Sequence, residues 1–431
     1  MSSHERVPNE LWLAIFELLP CESVKQLFSS DRRFSTISRG LLFSQLALKH
    51  IRPDENLPSA KYIQFTLDRL DFWSSDEIAP LVRHCTITPW TARWRETGPD
   101  VARLESDRAE PSSCTPLLAA FIERLGRFTN LQMLYARHVV FSQPTLAALC
   151  RLPCLDNVTM DQCGVGGEYI DTEGLHLRTS RFVYRDEWRG SGTGLQLWVP
   201  LLHPDHLREL KISGFPVFAT MPPGPPFPNV YKLTARLCCL TASEVLAALS
   251  RFPAVRVLDF ESFTGSSLGE ASDASEATRV LPLLEKFKGD YQLLPLLPGR
   301  PTLKHLVIDN CAPTELAKAL HGMASGDHIV SLHATLDSTL REMAFKTVCR
   351  SLPNLVDLHI EIQTEITEGE YEGRYIHRAT DFFFTLADTA FRADPWKPIR
   401  VLTWRPHLVH TPPPLCAPLV HAVARTRRTH F

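Results

Sequence analysis

Leu303 to Ile308 reads Leu-Lys-His-Leu-Val-Ile, and its spacing decides the fold. An apolar residue is followed by a second three positions later and a third two beyond that, and the last pair alternates as on a half-buried strand. The same register stands upstream at Val82-Cys85-Ile87, Leu131-Leu134-Ala136, Leu155-Val158-Met160, Leu207-Leu210-Ile212, Val230-Leu233-Ala235, Val255-Leu258-Phe260 and Leu284-Phe287-Gly289. Downstream it returns at Ile329-Leu332-Ala334, Leu355-Leu358-Ile360 and Ile399-Leu402-Trp404. Between Met160 and Leu207 a copy is weak, with Phe182 and Tyr184 as its best strand residues. Amphipathic segments fill the intervals at Thr115–Leu125, Thr145–Leu152, Ala242–Arg251, Thr314–Met323, Thr339–Leu352 and Thr380–Phe391. A short alternating strand followed by a helix, repeated, predicts an α/β chain with a parallel sheet and helices along its outer side. The competing architecture, a doubly wound sheet, has no reason to keep one triplet register so many times.

Most neighbouring copies lie 19 to 29 residues apart, a period that resembles leucine-rich repeats. The repeats are degenerate, because the Asn or Cys that usually closes the strand segment occurs only in places, as at Cys163 and Cys311. Phe215–Asn229 is too proline-rich for a helix or inner strand and Ser262–Thr278 is small, polar and acidic. Gln363–Arg378 is a Glu/Tyr/Gly-rich insertion and Thr411–Pro418 a second proline-rich turn, ahead of Arg425, Arg427 and Arg428. Such interruptions gather on one face of a repeat array and are candidates for a binding surface.

The other organised stretch is Val7–Leu46. Pro8 suits the first turn of a helix and Pro20 marks its end. Leu11, Ile15 and Leu18 form one stripe at helical spacing, and Trp12, Phe16 and Leu19 a second beside it. A helix apolar over most of its circumference lies deep in a large core or is pressed between its own domain and a partner. Two further short helices carry Val24, Leu27 and Phe28, then Phe34 and Ile37 with Asp31 as N-cap. The run resembles the F-box: Pro8-Asn9-Glu10-Leu11, an Ile15-Phe16-x-x-Leu19 core, a Ser-rich middle, Arg32-Arg33-Phe34 and a closing Leu41-Leu42-Phe43. It departs from the usual pattern at Val7 and Asp31. The alternative is three ordinary core helices of a larger domain.

The chain has 431 residues, 46 basic against 48 acidic, so no global charge points to nucleic acid or a membrane surface. No run approaches the ~18 apolar residues of a membrane span. The 11 cysteines are scattered without a Cys-x-x-Cys pair, which fits a reduced, cytoplasmic or nuclear setting. No P-loop, His-Glu-x-x-His or Gly-x-Ser-x-Gly occurs; Arg189–Leu195, RGSGTGL, reads as a flexible loop rather than a dinucleotide turn. The 17 histidines show no ligand spacing with cysteines or carboxylates. His333 and His359 read as exposed sheet residues rather than metal ligands. No catalytic residue, cofactor or metal is expected.

The resemblance implies an F-box-like helical module over residues 1–50, a linker segment over 51–77 that includes a polar stretch at Ile51–Pro58, and a leucine-rich-repeat solenoid over 78–431. It implies a substrate-recognition adaptor that docks on a Skp-type adaptor of a cullin–RING ubiquitin ligase. Pro8, Leu11, Trp12, Ile15, Phe16, Leu19, Val24, Leu27 and Phe28 are its candidate adaptor-binding residues. A stand-alone repeat scaffold or inhibitor is the alternative. Strand alternation turns the residues beside each triplet to the open face, so Tyr135, Arg137, Arg181, Arg185, Lys211, Lys232 and Arg236 are candidates for binding an unidentified target protein. Asp161 and Glu209 stand among them, and Asp259, Glu261, Asp309, Asp357 and Glu361 follow. The expected face is basic early and acidic late.

Overall fold

A computed structural model describes residues 7–50, 60–89, 116–166, 174–185, 193–215, 218, 225–238, 240–264, 279–297, 299–323, 326–336, 347–348, 350–362 and 401–406. Ile51–Pro58, Gln363–Arg378, Thr380–Phe391, Thr411–Pro418 and the tail arginines lie outside the described residues, as do most of Phe215–Asn229, Ser262–Thr278 and Thr339–Leu352. The chain is α/β and divides into two compact units, Met1–Leu207 and Arg208–Phe431. The boundary falls inside the single array expected over 78–431. Among the described residues no helix is long and apolar enough to cross a membrane.

The first unit opens with α1 (Asn9–Glu17), α2 (Cys21–Ser30) and α3 (Arg32–Leu42), followed without a break by β1 (Gln45–His50). Helix α4 (Ala60–Trp73) lies within the segment expected as a linker over 51–77. Strands β2 (His84–Pro89), β3 (Met133–Arg137), β5 (Asn157–Asp161) and β7 (Arg181–Arg185) add to β1 in that order, every pair parallel. A separate two-stranded pair joins β4 (Val140–Phe141) to β6 (Gly164–Val165). Helices α5 (Pro116–Arg124), α6 (Gln143–Cys150) and α7 (Thr193–Trp198) lie between strands in the chain.

The triplets become ladders. Leu46, Cys85, Leu134, Val158 and Phe182 are register partners across the first unit, and Leu48, Ile87, Ala136, Met160 and Tyr184 form the next row. All ten are buried. Phe182 and Tyr184 thus supply the weak copy. Strand β1 was not foreseen, although Phe43-Leu46-Leu48 repeats the triplet spacing.

The second unit contains β8 (Glu209–Ile212), β9 (Lys232–Cys238), β10 (Val257–Thr264), β11 (Lys286–Gly289), β12 (His305–Cys311), β13 (Ser331–Leu336), β14 (Asp357–Ile362) and β15 (Val401–Pro406), paired in sequence order and all parallel. Helix α8 (Ala242–Leu249) starts at a capping box: Thr241 accepts from the Glu244 N–H at 3.4 Å, and Glu244 accepts from the Thr241 N–H at 2.8 Å. Helix α9 (Pro313–His321) starts on Pro313, and Glu315 accepts from the Ala312 N–H at 3.3 Å. One buried row is uniformly large: Leu210, Leu233, Leu258, Phe287, Leu306, Leu332 and Leu358. The row beside it alternates in size as Ile212, Ala235, Phe260, Gly289, Ile308, Ala334 and Ile360. Above Gly289, the smallest member of this row, the space is filled by the Phe287 ring, Phe260 Cβ and Leu293.

Strand ends share a device. His138, Gln162 and Asn310 have φ of 53°, 53° and 50°, each two positions beyond the third triplet residue. This left-handed step costs a non-glycine residue ~1–2 kcal/mol, and it is held because the next residue, Val139, Cys163 or Cys311, is buried. The Cys163 thiol donates to the Ala136 carbonyl at 3.2 Å, bonding one strand end to the strand before it.

Two expected loops have structured parts. In Phe215–Asn229, Phe215, Phe218 and Phe227 are buried, with Phe227 stacked on Phe252 at 5.5 Å and the Arg251 guanidinium over Phe218 at 5.3 Å. In Arg189–Leu195 the described Thr193–Leu195 begin α7, and Gly194 lies so close under the Tyr184 hydroxyl that no Cβ would fit. Packing accounts for that glycine without a phosphate.

Candidate functional site

The site is built by the two stripes of α1. Its inward stripe is aromatic: Trp12 meets Phe34 edge-on at 4.9 Å, Phe16 meets Phe34 edge-on at 5.5 Å, and Trp12 lies 5.9 Å from Phe16. Asp31 accepts from the Arg33 and Phe34 N–H groups and so starts α3 where Phe34 can close this cluster. Arg33 ties the entry of α1 down, donating to the Val7 carbonyl and, at 2.8 Å, to Asn9 Oδ1. The buried Ser38 hydroxyl donates to the Phe34 carbonyl at 2.6 Å.

Among the described residues the outward stripe has no such aromatic cover. Leu11, Ile15 and Leu18 retain 56%, 43% and 86% of their surface, with Leu13 beside them at 38%. Pro8 is exposed, and Trp12, Leu19, Leu27 and Phe28 are half-buried. Phe16 and Val24, named with the candidate docking residues, are 1% and 4% exposed. They shape the surface from beneath and offer none of it themselves. Phe28 meets Phe43 edge-on at 6.2 Å, and Phe43 meets Phe72 and Trp73 of α4 at 5.6 and 5.5 Å, so the three helices are anchored on their other side. Full burial of an exposed leucine or isoleucine contributes ~1.5–3 kcal/mol, so covering Leu18 would approach that figure and covering Leu11 or Ile15, already half-covered, would give about half of it.

The second candidate surface is the polar face of the strands. In the first unit, Tyr135 donates to Asp161 Oδ2 at 2.8 Å and Arg137 Nε stands 3.4 Å from the same oxygen. Burial first, then this bond to a carboxylate, push the Tyr135 phenol up to about 12. Arg181 and Arg185 are exposed at the two ends of β7. In the second unit, Lys211 pairs with Glu261 and Lys232 lies 3.9 Å from Glu209, which also accepts from the Tyr231 hydroxyl at 2.6 Å. Arg236 is exposed on β9. Lys288 pairs with Asp309 at 3.5 Å. Lys211 of β8 thus reaches past β9 to Glu261 of β10, and Lys232 of β9 stands near Glu209 of the adjacent β8, so these lysines of the expected basic stretch have carboxylates beside them. Sequence order hides this, because Lys211 and Glu261 are 50 residues apart.

The sequence matches no protein-family model and no curated protein.

Proposed function

We propose that the chain is a substrate-recognition adaptor, in which α1–α3 form an F-box-like module that docks on a Skp-type adaptor of a cullin–RING ubiquitin ligase. The strand and helix units form a degenerate leucine-rich-repeat solenoid that holds a protein target. The observation that carries this reading is the exposed Leu11–Ile15–Leu18 stripe, a ready apolar face on a helix whose opposite side is already packed. Residues with the F-box order of types lie on that helix and the two after it. The repeated triplet register and the buried Cys163 and Cys311 at the strand ends support the repeat family.

In this reading the chain catalyses nothing itself. It raises the effective concentration of a target lysine near the ubiquitin thioester, and other subunits supply the chemistry. Co-expression of the full chain with a Skp-type adaptor tests the proposal: the wild type co-purifies with it, and Leu11→Asp/Ile15→Asp does not. Equal recovery of both would sink it.

A second reading, a stand-alone scaffold or inhibitor, is favoured by one feature. Phe43 joins the helices to α4, and α3 runs straight into β1, as a terminal cap of the array would. A cap predicts no adaptor binding by the wild type.

A further inference from the structure

We propose that His333, His359 and Glu361 form a site for one zinc-class divalent metal ion on the polar face of β13 and β14. Two histidines and a carboxylate are a donor set that zinc accepts, with a fourth position left to water or a partner's side chain. The strands dictate the cluster. His333 and His359 are register partners, and Glu361, two residues on, returns to the same face of β14. The imidazole rings lie 4.0 Å apart between centroids and tilt by 56°. His333 Nε2 is 3.8 Å from Glu361 Oε2, and one donor atom from each of the three residues can be chosen with all lying within 4.8 Å of one another.

A tetrahedral ion bound at ~2.0–2.1 Å holds its donors roughly 3.3–3.5 Å apart. Closing the observed gaps therefore needs side-chain shifts of roughly an ångström at three half-buried positions. Glu361 brings a negative charge to the cluster and Asp309 a second one nearby, with Lys288 3.5 Å from Asp309 and Arg405 at the register position beside Glu361 as the opposing cations. Sequence spacing could not reveal the set, because its first and second members come from different strands. The site does not depend on ligase membership.

The full chain, stripped with chelator and kept in a non-thiol reductant, is titrated with cobalt(II). The expected result is one ion per chain with ligand-field absorption and no thiolate charge-transfer band. Affinity should fall by more than about tenfold in His359→Ala and vanish in His333→Ala/His359→Ala. Equal binding by the double variant, or thiolate bands alone, overturns the proposal. Should the double variant lose its fold by circular dichroism, histidine carbethoxylation of the wild type decides: zinc slows modification of His333 and His359 if they ligate it, and equal rates overturn the site.

Discussion

Ile15 and Phe16 are neighbours in the chain yet face opposite environments, the first 43% exposed and the second 1%. One helical step separates a surface residue from the centre of an aromatic cluster. Ile15→Asp should therefore leave the thermal midpoint within a degree or two of wild type and abolish adaptor capture, where a central interface anchor is worth ~2 kcal/mol or more. Phe16→Ala should cost ~3–5 kcal/mol of stability. Denaturant melts beside co-purification check both, and a stable Phe16→Ala would contradict the packing described.

Tyr135 should be a late-ionising phenol. Its folded pKa is raised, so the associated stability is complete below the ordinary phenol value of 10.0 and is lost as pH rises through about 12. A rapid pH jump read by tyrosinate absorbance should show one equivalent appearing near pH 12 that is missing in Tyr135→Phe. If the late phase persists in the variant, the Tyr135–Asp161 bond is not its source.

At Gly289 an added Cβ would lie 3.0 Å from the Phe287 ring and 3.3 Å from Phe260 Cβ. Gly289→Val should cost ~1–3 kcal/mol by overpacking. Phe287→Leu in the same chain removes the ring tip that crowds this position and should recover part of that loss, giving a coupling of ~0.5 kcal/mol or more in a double-mutant cycle. Strict additivity would mean that the two positions do not share space.

Thiol labelling near neutral pH should mark Cys21 and Cys154, which are exposed, and spare Cys85, Cys163 and Cys311, which are buried. Burial pushes the Cys163 thiol up to about 12 and Cys85 upward as well, so little nucleophilic thiolate is present there. Peptide mapping before and after denaturation reads the outcome. Modification of Cys163 in the folded chain would contradict the strand-end packing.

The ladders were legible because a strand repeats every two residues, and an apolar triplet at fixed spacing leaves one solution for which side faces in. Strand β1 escaped because Leu46 and Leu48 stood inside a stretch read as helical. Helix α4 escaped because Ile63, Phe65, Leu67, Leu70, Phe72 and Trp73 follow no single helical stripe, and only Leu70 among them is fully buried. The two stripes of α1 could be drawn from sequence, but which one faced solvent could not, since that depends on Phe34 in another helix. Pairings such as Lys211 with Glu261 and His333 with His359 need the register, which the sequence pattern does not state.

The size alternation from Ile212 to Ile360 has a consequence for how such a chain can change. Removing a single strand and its return segment would bring two bulky residues, such as Phe260 and Ile308, onto adjacent strands, or leave two small ones with a void between them. Removing two would restore the alternation. Between Ile212 and Ile360 the alternation is therefore kept when strands are gained or lost in pairs, whereas the first unit, with Leu48 beside Ile87 and Met160 beside Tyr184, carries no such rule.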